Sequence, residues 1–179
     1  CTSTCQAGVA GSGDGQFNRP YGIDIDSTGN IYVTDGQNRR VQKFNSSGAF
    51  VSMFGWGVDT GASAFETCTS GCQIGLSGSG DGQFSSPLGI RIDSSDNIHV
   101  ADTSNNRIQK FNSSGAFVSM FGWGVTTGAS QFETCTSTCQ AGVAGSGDGQ
   151  FSSPRGISFD SNDNIYITDN GNSRFQKFN

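Results

Sequence analysis

A period of 67 residues runs through the whole chain and constrains its fold more than any other feature. Cys1, Cys68 and Cys135 stand one period apart, and so do Cys5, Cys72 and Cys139. The same offset superimposes Gly11-Ser12-Gly13-Asp14-Gly15-Gln16-Phe17 on residues 78–84 and 145–151, and Gln42-Lys43-Phe44-Asn45 on residues 109–112 and 176–179. Residues 1–67 and 68–134 differ at 18 positions and match at 49 of 67. Units this alike meet nearly the same environment, so the chain reads as an array of one supersecondary unit rather than a body built around one unique site.

Each unit offers short strands and tight turns. Gly22-Ile23-Asp24-Ile25-Asp26 alternates, as does Asn30-Ile31-Tyr32-Val33-Thr34-Asp35, and Asp26-Ser27-Thr28-Gly29 between them is hairpin-turn chemistry. Arg40-Val41-Gln42-Lys43-Phe44 is a third strand, with Val41 and Phe44 out of phase, which predicts a bulge or a sheet covered on both faces. Asn45-Ser46-Ser47-Gly48 then turns into Ala49–Phe54. Gly at 27 of 179 residues serves such turns, and 14 Phe supply core bulk. Four antiparallel strands in about 40 residues make one propeller blade. The expected fold is therefore all-β: a propeller-type array of four-stranded antiparallel blades. Repeat 1 spans 1–67, with an insert segment over 1–16 and a blade over 17–55. Repeat 2 spans 68–134, with its insert segment over 68–83 and its blade over 84–122. Repeat 3 spans 135–179, with its insert segment over 135–150 and a truncated blade over 151–179. The chain opens on Cys1 rather than Met and stops at Asn179 in mid-hairpin, which reads as a processed or excised piece of something longer.

Pro20-Tyr21-Gly22-Ile23-Asp24, Ile31-Tyr32-Val33-Thr34-Asp35 and Asn38-Arg39-Arg40-Val41-Gln42-Lys43-Phe44 together resemble the NHL repeat, and the frame recurs over Pro87–Phe111 and Pro154–Phe178. The resemblance covers the blade portion of each unit and leaves out the cysteine-bearing insert. It implies a propeller that serves as a binding platform, in a family that includes occasional enzymes such as the amidating lyases.

Asp35 with Arg40, Asp102 with Arg107 and Asp169 with Arg174 recur in every unit. Their repetition favours structural struts between strands over a ring of ligand-binding charges, with the guanidinium fork meeting the carboxylate bidentately. Three Cys-x3-Cys pairs (Cys1 and Cys5, Cys68 and Cys72, Cys135 and Cys139) favour a disulfide stapling each insert, ahead of free thiols or a metal. Ser63-Ala64-Phe65-Glu66 and Ser130-Gln131-Phe132-Glu133 fit a capping box, which predicts a short helical turn there. Asn45-Ser46-Ser47 and Asn112-Ser113-Ser114 are sequons and equally ordinary turns. Trp56 and Trp123, in Phe-Gly-Trp-Gly, suit packing over a sheet edge, with the indole N–H on a carbonyl; contact with a glycan or a partner is the alternative. Ser12-Gly13-Asp14-Gly15 reads as a turn rather than a phosphate loop, since no Gly-Lys-Ser/Thr follows. Asp24 and Asp26 do not form a repeated calcium site, because Arg91 takes the first position in unit two.

A net charge of −5 with scattered Lys and Arg argues against nucleic acid, and no apolar stretch approaches the ~20 residues of a membrane span. His99 is the sole histidine, with Tyr32 and Tyr166 at its place in the other units, so neither a Ser-His-Asp triad nor a histidine metal centre can recur. No cofactor or metal is expected. The expected role is a non-catalytic, extracellular or cell-surface binding and scaffolding module. A filament-forming structural protein, completed edge to edge between copies, is the alternative; a lyase or glycan-active enzyme comes third.

Overall fold

A computed structural model describes residues 7–179; Cys1 and Cys5, the first expected cysteine pair, lie outside the described residues. Each unit builds one antiparallel sheet with its strands in chain order. The first holds β1 (Pro20–Ile25), β2 (Ile31–Asp35), β3 (Arg40–Phe44), β4 (Phe50–Trp56) and β5 (Phe65–Cys68). The second repeats it with β6 (Pro87–Ile92), β7 (Ile98–Asp102), β8 (Arg107–Phe111), β9 (Phe117–Trp123) and β10 (Phe132–Cys135). The third has β11 (Pro154–Phe159), β12 (Ile165–Asp169) and β13 (Arg174–Phe178). These are propeller-type blades with an extra outer strand in the two complete copies.

That outer strand overturns the expected capping box. Residues 65–68 pair with β4, Trp56 opposite Phe65 and Met53 opposite Cys68, so no helical turn forms there. The open edge of β4 offers a full row of backbone partners, which a lone helical turn would leave unused. Glu66 and Glu133 still cap backbone amides, but upstream of themselves: Glu66 accepts from the amides of Asp59 at 2.8 Å and Thr60 at 3.0 Å, holding the turn before β5. Hydrogen bonds from the Thr127 hydroxyl and from the amides of Thr126 and Thr127 hold the pKa of the Glu133 carboxyl at about 2.

The β1–β2 turn is built around Asp26, whose carboxylate accepts the amides of Thr28 at 3.0 Å and Asn30 at 2.8 Å. Burial opposes its charge, but hydrogen bonds from Asn30 and Thr28 outweigh that and hold its pKa at about 2. Between β2 and β3 a 3-10 turn, Gly36–Asn38, ends on Arg39 with φ 53°. Both readings of the out-of-phase β3 hold. Its register against β4 slips between Lys43 and Phe44, and its two faces serve different blades. In unit two, Ile108 packs forward against Phe151 of blade three, whereas Phe111 packs back against Phe54 of blade one.

The blades face one another through two apolar layers. Tyr32, Val41 and Phe54 of the first sheet meet Phe84, just before β6, and Ile90, Ile98, Val100 and Phe111 of the second sheet. Ala101 and Ile108 of the second sheet then meet Phe151, Ile165 and Ile167 of the third. Period-2 alternation explains this, because Val100 and Ala101, neighbours on β7, belong to opposite joints. The inner strands β1 and β6 also carry a glycine where each nears the next blade. A Cβ on Gly89 would overlap the carbonyl oxygen of Arg155, and one on Gly22 would stand 2.6 Å from that of Leu88.

Candidate functional site

The Asp–Arg pairs are wholly interior in the first two blades. Arg40 and Asp35 are 0% exposed, as are Arg107 and Asp102. The carboxylate is met by Nε alone, at 2.9 Å in each unit, so the expected bidentate fork is corrected. The other guanidinium nitrogens are drawn to carbonyls instead. Arg40 donates to Ser12 at 2.6 Å, Gly13 at 3.0 Å and Gln16 at 2.9 Å in the loop before the blade, and to Gln73 at 3.1 Å in the insert after it. Asp35 accepts in addition from Asn38, Gln42 and the amide of Asn18. A buried fork with this many carbonyl acceptors and one carboxylate is saturated, with nothing left over for a ligand. Asp169 and Arg174 keep the same bond, with the Arg174 side chain 28% exposed.

Among the described residues the disulfides are Cys68–Cys72 and Cys135–Cys139, with S–S distances of 2.07 and 2.05 Å. Cys68 and Cys72 pack with Met53 and Val58 in a small core of their own. Asp14 reaches across to this loop and accepts from the amides of Gly71 at 2.9 Å and Cys72 at 3.0 Å, and Asp81 does the same for Thr138 and Cys139. The Gly-Ser-Gly-Asp-Gly motif is therefore a clasp for the next insert. Trp56 donates to the Ser63 hydroxyl at 3.4 Å rather than to a carbonyl, because β5 brings Ser63 beside it. Asn45 and Asn112 use their side-chain oxygens to hold the turn, accepting from the amides of Ser47 and Ala49 and of Ser114 and Ala116.

His99 lies between blades two and three. Its Nε2 is 3.0 Å from Asp93, its ring meets Phe159 edge-on at 4.9 Å, and its Nδ1 is buried without a hydrogen-bond partner among the described residues. Lys110 also faces Asp93, at 3.3 Å. Burial lowers the imidazole below its ordinary value of 6.5, against the opposing pull of Asp93. The unfolded chain thus takes up a proton first as pH falls. Stability from this group is whole above pH 6.5 and drains as pH drops toward the folded value. Tyr32 and Tyr166 make the matching bond, to Asp26 at 3.2 Å and Asp160 at 3.1 Å, and burial raises the Tyr32 hydroxyl above its ordinary value. Urea melts between about pH 7 and 5.5 are expected to show wild type losing stability and His99→Tyr holding steady. Parallel losses in the two proteins would refute this account.

Side chains that differ between units gather elsewhere. The first strands of the three blades run side by side, β1 next to β6 and β6 next to β11. Across them lies an open groove of about 550 Å³ lined by Tyr21, Ile23, Ile90, Arg91, Arg155 and Ile157. Tyr21, Leu88 and Arg155 share one repeat position, and Asp24, Arg91 and Ser158 share another. Arg91 is 47% exposed on its side chain and reaches Asp24 at 3.4 Å. The groove thus combines isoleucine side chains with Tyr21 and two guanidinium groups, one of which reaches Asp24. It was missed from the sequence, although aligning the units column by column would have exposed the variable positions.

The chain matches the NHL repeat family at residues 17–44, 84–111 and 151–178. Lin-41 of Caenorhabditis elegans is 49% identical over 45 residues, which is 25% of this chain and 4% of that protein. Protein brain tumor of Drosophila melanogaster is 43% identical over 51 residues, 28% of this chain and 5% of that protein. The chain therefore spans a small part of the curated relatives it matches. Among solved structures, a protein of unknown function from Bacteroides caccae aligns over 89% of this chain and 42% of its own, at 13% identity and a TM-score of 0.46. A streptogramin B lyase aligns over 96% of this chain and 56% of its own, at 11% identity and a TM-score of 0.43.

Proposed function

Because the chain belongs to the NHL repeat family, we propose that it is a non-catalytic binding and scaffolding module whose ligand face is the groove across β1, β6 and β11. The carrying observation is the division between sameness and variety. The Asp–Arg struts repeat in every unit, whereas Tyr21, Arg91 and Arg155, which line the groove, stand at repeat positions filled by different residues in the other units. A strut needs one chemistry in every blade; recognition needs several groups converging on one partner.

Isoleucines flanked by Arg91 and Arg155 suit an extended protein segment that presents apolar and acidic side chains, with Arg155 placed to take a carboxylate as a fork and Arg91, already drawn to Asp24, adding a second positive charge. The two disulfides favour an oxidising, extracellular or cell-surface setting. A non-catalytic role agrees with the saturation of the strut groups and with His99 facing a neighbouring blade rather than the groove.

A displayed random-peptide library selected on the 179-residue chain tests this reading. Selected peptides are expected to carry Asp or Glu beside apolar residues, and to bind Arg155→Glu at least about tenfold more weakly, or 1.4 kcal/mol. Peptides that bind the variant and the parent equally would remove the groove from the proposal.

A further inference from the structure

We infer that Asn112 is an acceptor of N-linked glycan, through an amide nitrogen that the turn between β8 and β9 leaves idle. The inference rests on the extracellular or cell-surface setting proposed above and not on the groove. Asn112-Ser113-Ser114 has the spacing an acceptor needs, with a hydroxyl two residues after the asparagine and no proline between them. Spacing alone leaves a sequon level with an ordinary turn. The bonding separates the two.

The first two blades each build the same kind of turn twice, once on an aspartate and once on an asparagine. At the β1–β2 turn, Oδ1 of Asp26 accepts from the amides of Thr28 and Asn30 and from the Thr28 hydroxyl, while Oδ2 accepts from Asn30 and Tyr32. At the β6–β7 turn, Oδ1 of Asp93 accepts from the amides of Ser95 and Asn97, while Oδ2 meets Asn97, His99 and Lys110. Both oxygens are engaged each time. At the β8–β9 turn, Oδ1 of Asn112 does the whole of that task. It accepts from the Ser114 amide at 3.1 Å, the Ser114 hydroxyl at 2.6 Å and the Ala116 amide at 2.9 Å. Its Nδ2 donates to nothing among the described residues and is not sealed from solvent. A carboxylate would hold this turn as well, so the turn does not account for the nitrogen. Exchanging one of its two hydrogens breaks no bond.

Asn112 is decisive because its blade has a neighbour on each side within the chain. The turn is pinned against blade one, where the Tyr32 hydroxyl donates to the Ser113 carbonyl at 3.3 Å and Gly115 lies against the Phe54 ring. Even so, Ser113 and Ser114 are exposed and Asn112 is half-buried, so a glycan leaves toward solvent without parting the blades. Asn45 makes the same bonds, to the Ser47 amide and hydroxyl and the Ala49 amide. In the transfer, Nδ2 bonds to the anomeric carbon of an oligosaccharide as that carbon's bond to a lipid diphosphate breaks. The diphosphate leaves with the electron pair, and the proton displaced from Nδ2 passes to a base of the transferase.

Secretion of the full chain from a eukaryotic cell line tests the site, with cysteine state and glycan both read by intact mass and peptide mapping. The disulfide-bonded chain is expected to carry glycan on Asn112, and peptide N-glycosidase to remove it and leave a carboxylate there. Asn112→Asp is expected to lack that glycan yet melt with the parent, since a carboxylate oxygen holds the turn as Asp93 holds its own. Ser114→Ala keeps the asparagine and is expected to lose the glycan as well. A secreted, disulfide-bonded chain with Asn112 bare overturns the inference. So does a glycosylated chain that melts well below its enzyme-treated form, because Nδ2 would then have had a partner to lose. Free cysteines in the secreted chain overturn the setting, and the inference falls with it.

Discussion

Replacing Arg107 with methionine is expected to destabilise the chain by about 3–5 kcal/mol, the usual consequence of removing one partner of a buried ion pair. Asp102 would lose its Nε donor at 2.9 Å in a site with no exposure. The carbonyls of Gly80, Gln83 and Gln140 would lose theirs as well. Arg107→Lys decides whether charge or shape matters. An ammonium keeps the charge but has only three donors on a flexible stem, too few to serve a carboxylate and several carbonyls that a planar fork reaches at once. The lysine variant is therefore expected to retain less than half of the lost stability, measured as the shift in urea midpoint at constant slope. Near-complete rescue by lysine would mean that the pair acts by charge alone. Arg174→Met should cost less, because that side chain is already 28% exposed.

Gly89→Ala is the second substitution with a large expected effect. Its new methyl would run into backbone, the Arg155 carbonyl, and backbone cannot rotate away as a side chain can. Blades two and three must part to admit it, at a cost of about 3 kcal/mol, the upper end of ordinary overpacking. Gly22→Ala meets the Leu88 carbonyl at 2.6 Å and should cost less, while Gly8→Ala meets nothing within 4 Å among the described residues and should cost almost nothing. Thermal melts of the three variants check this order. Amide exchange in Gly89→Ala should also rise at the β6–β11 joint before it rises within either sheet. Equal melting of the Gly89 and Gly8 variants would show that the inner strands are not in contact as described.

Most of the blade could be read from the chain because its signals are local. Alternation at Ile23 and Ile25 and at Ile31 and Val33, with Asp26 to turn the chain, fixes two strands and their hairpin without reference to anything distant. The Asp35–Arg40 strut was legible for a related reason: the two residues flank one short turn and recur in every unit. What escaped is what depends on separate segments meeting. Phe65–Cys68 is too short to declare itself a strand, and it becomes one only because β4 has an edge to fill. The Nε-only contact escaped because the competing carbonyls at Ser12 and Gln73 lie far away in sequence. Asp14 gave no hint of its role, since the amides it accepts from, those of Gly71 and Cys72, lie 57 and 58 residues along the chain.

The reach of Arg40 has a mechanical consequence. One guanidinium grips the chain where it enters the blade, at Ser12, Gly13 and Gln16, and again where it leaves, at Gln73. Tension applied along the chain can thus pass from entry to exit through a single side chain, by-passing the sheet between. Load along the chain would fall first on that grip, and its release would also strain the clasp that Asp14 makes on Gly71 and Cys72 in the following insert.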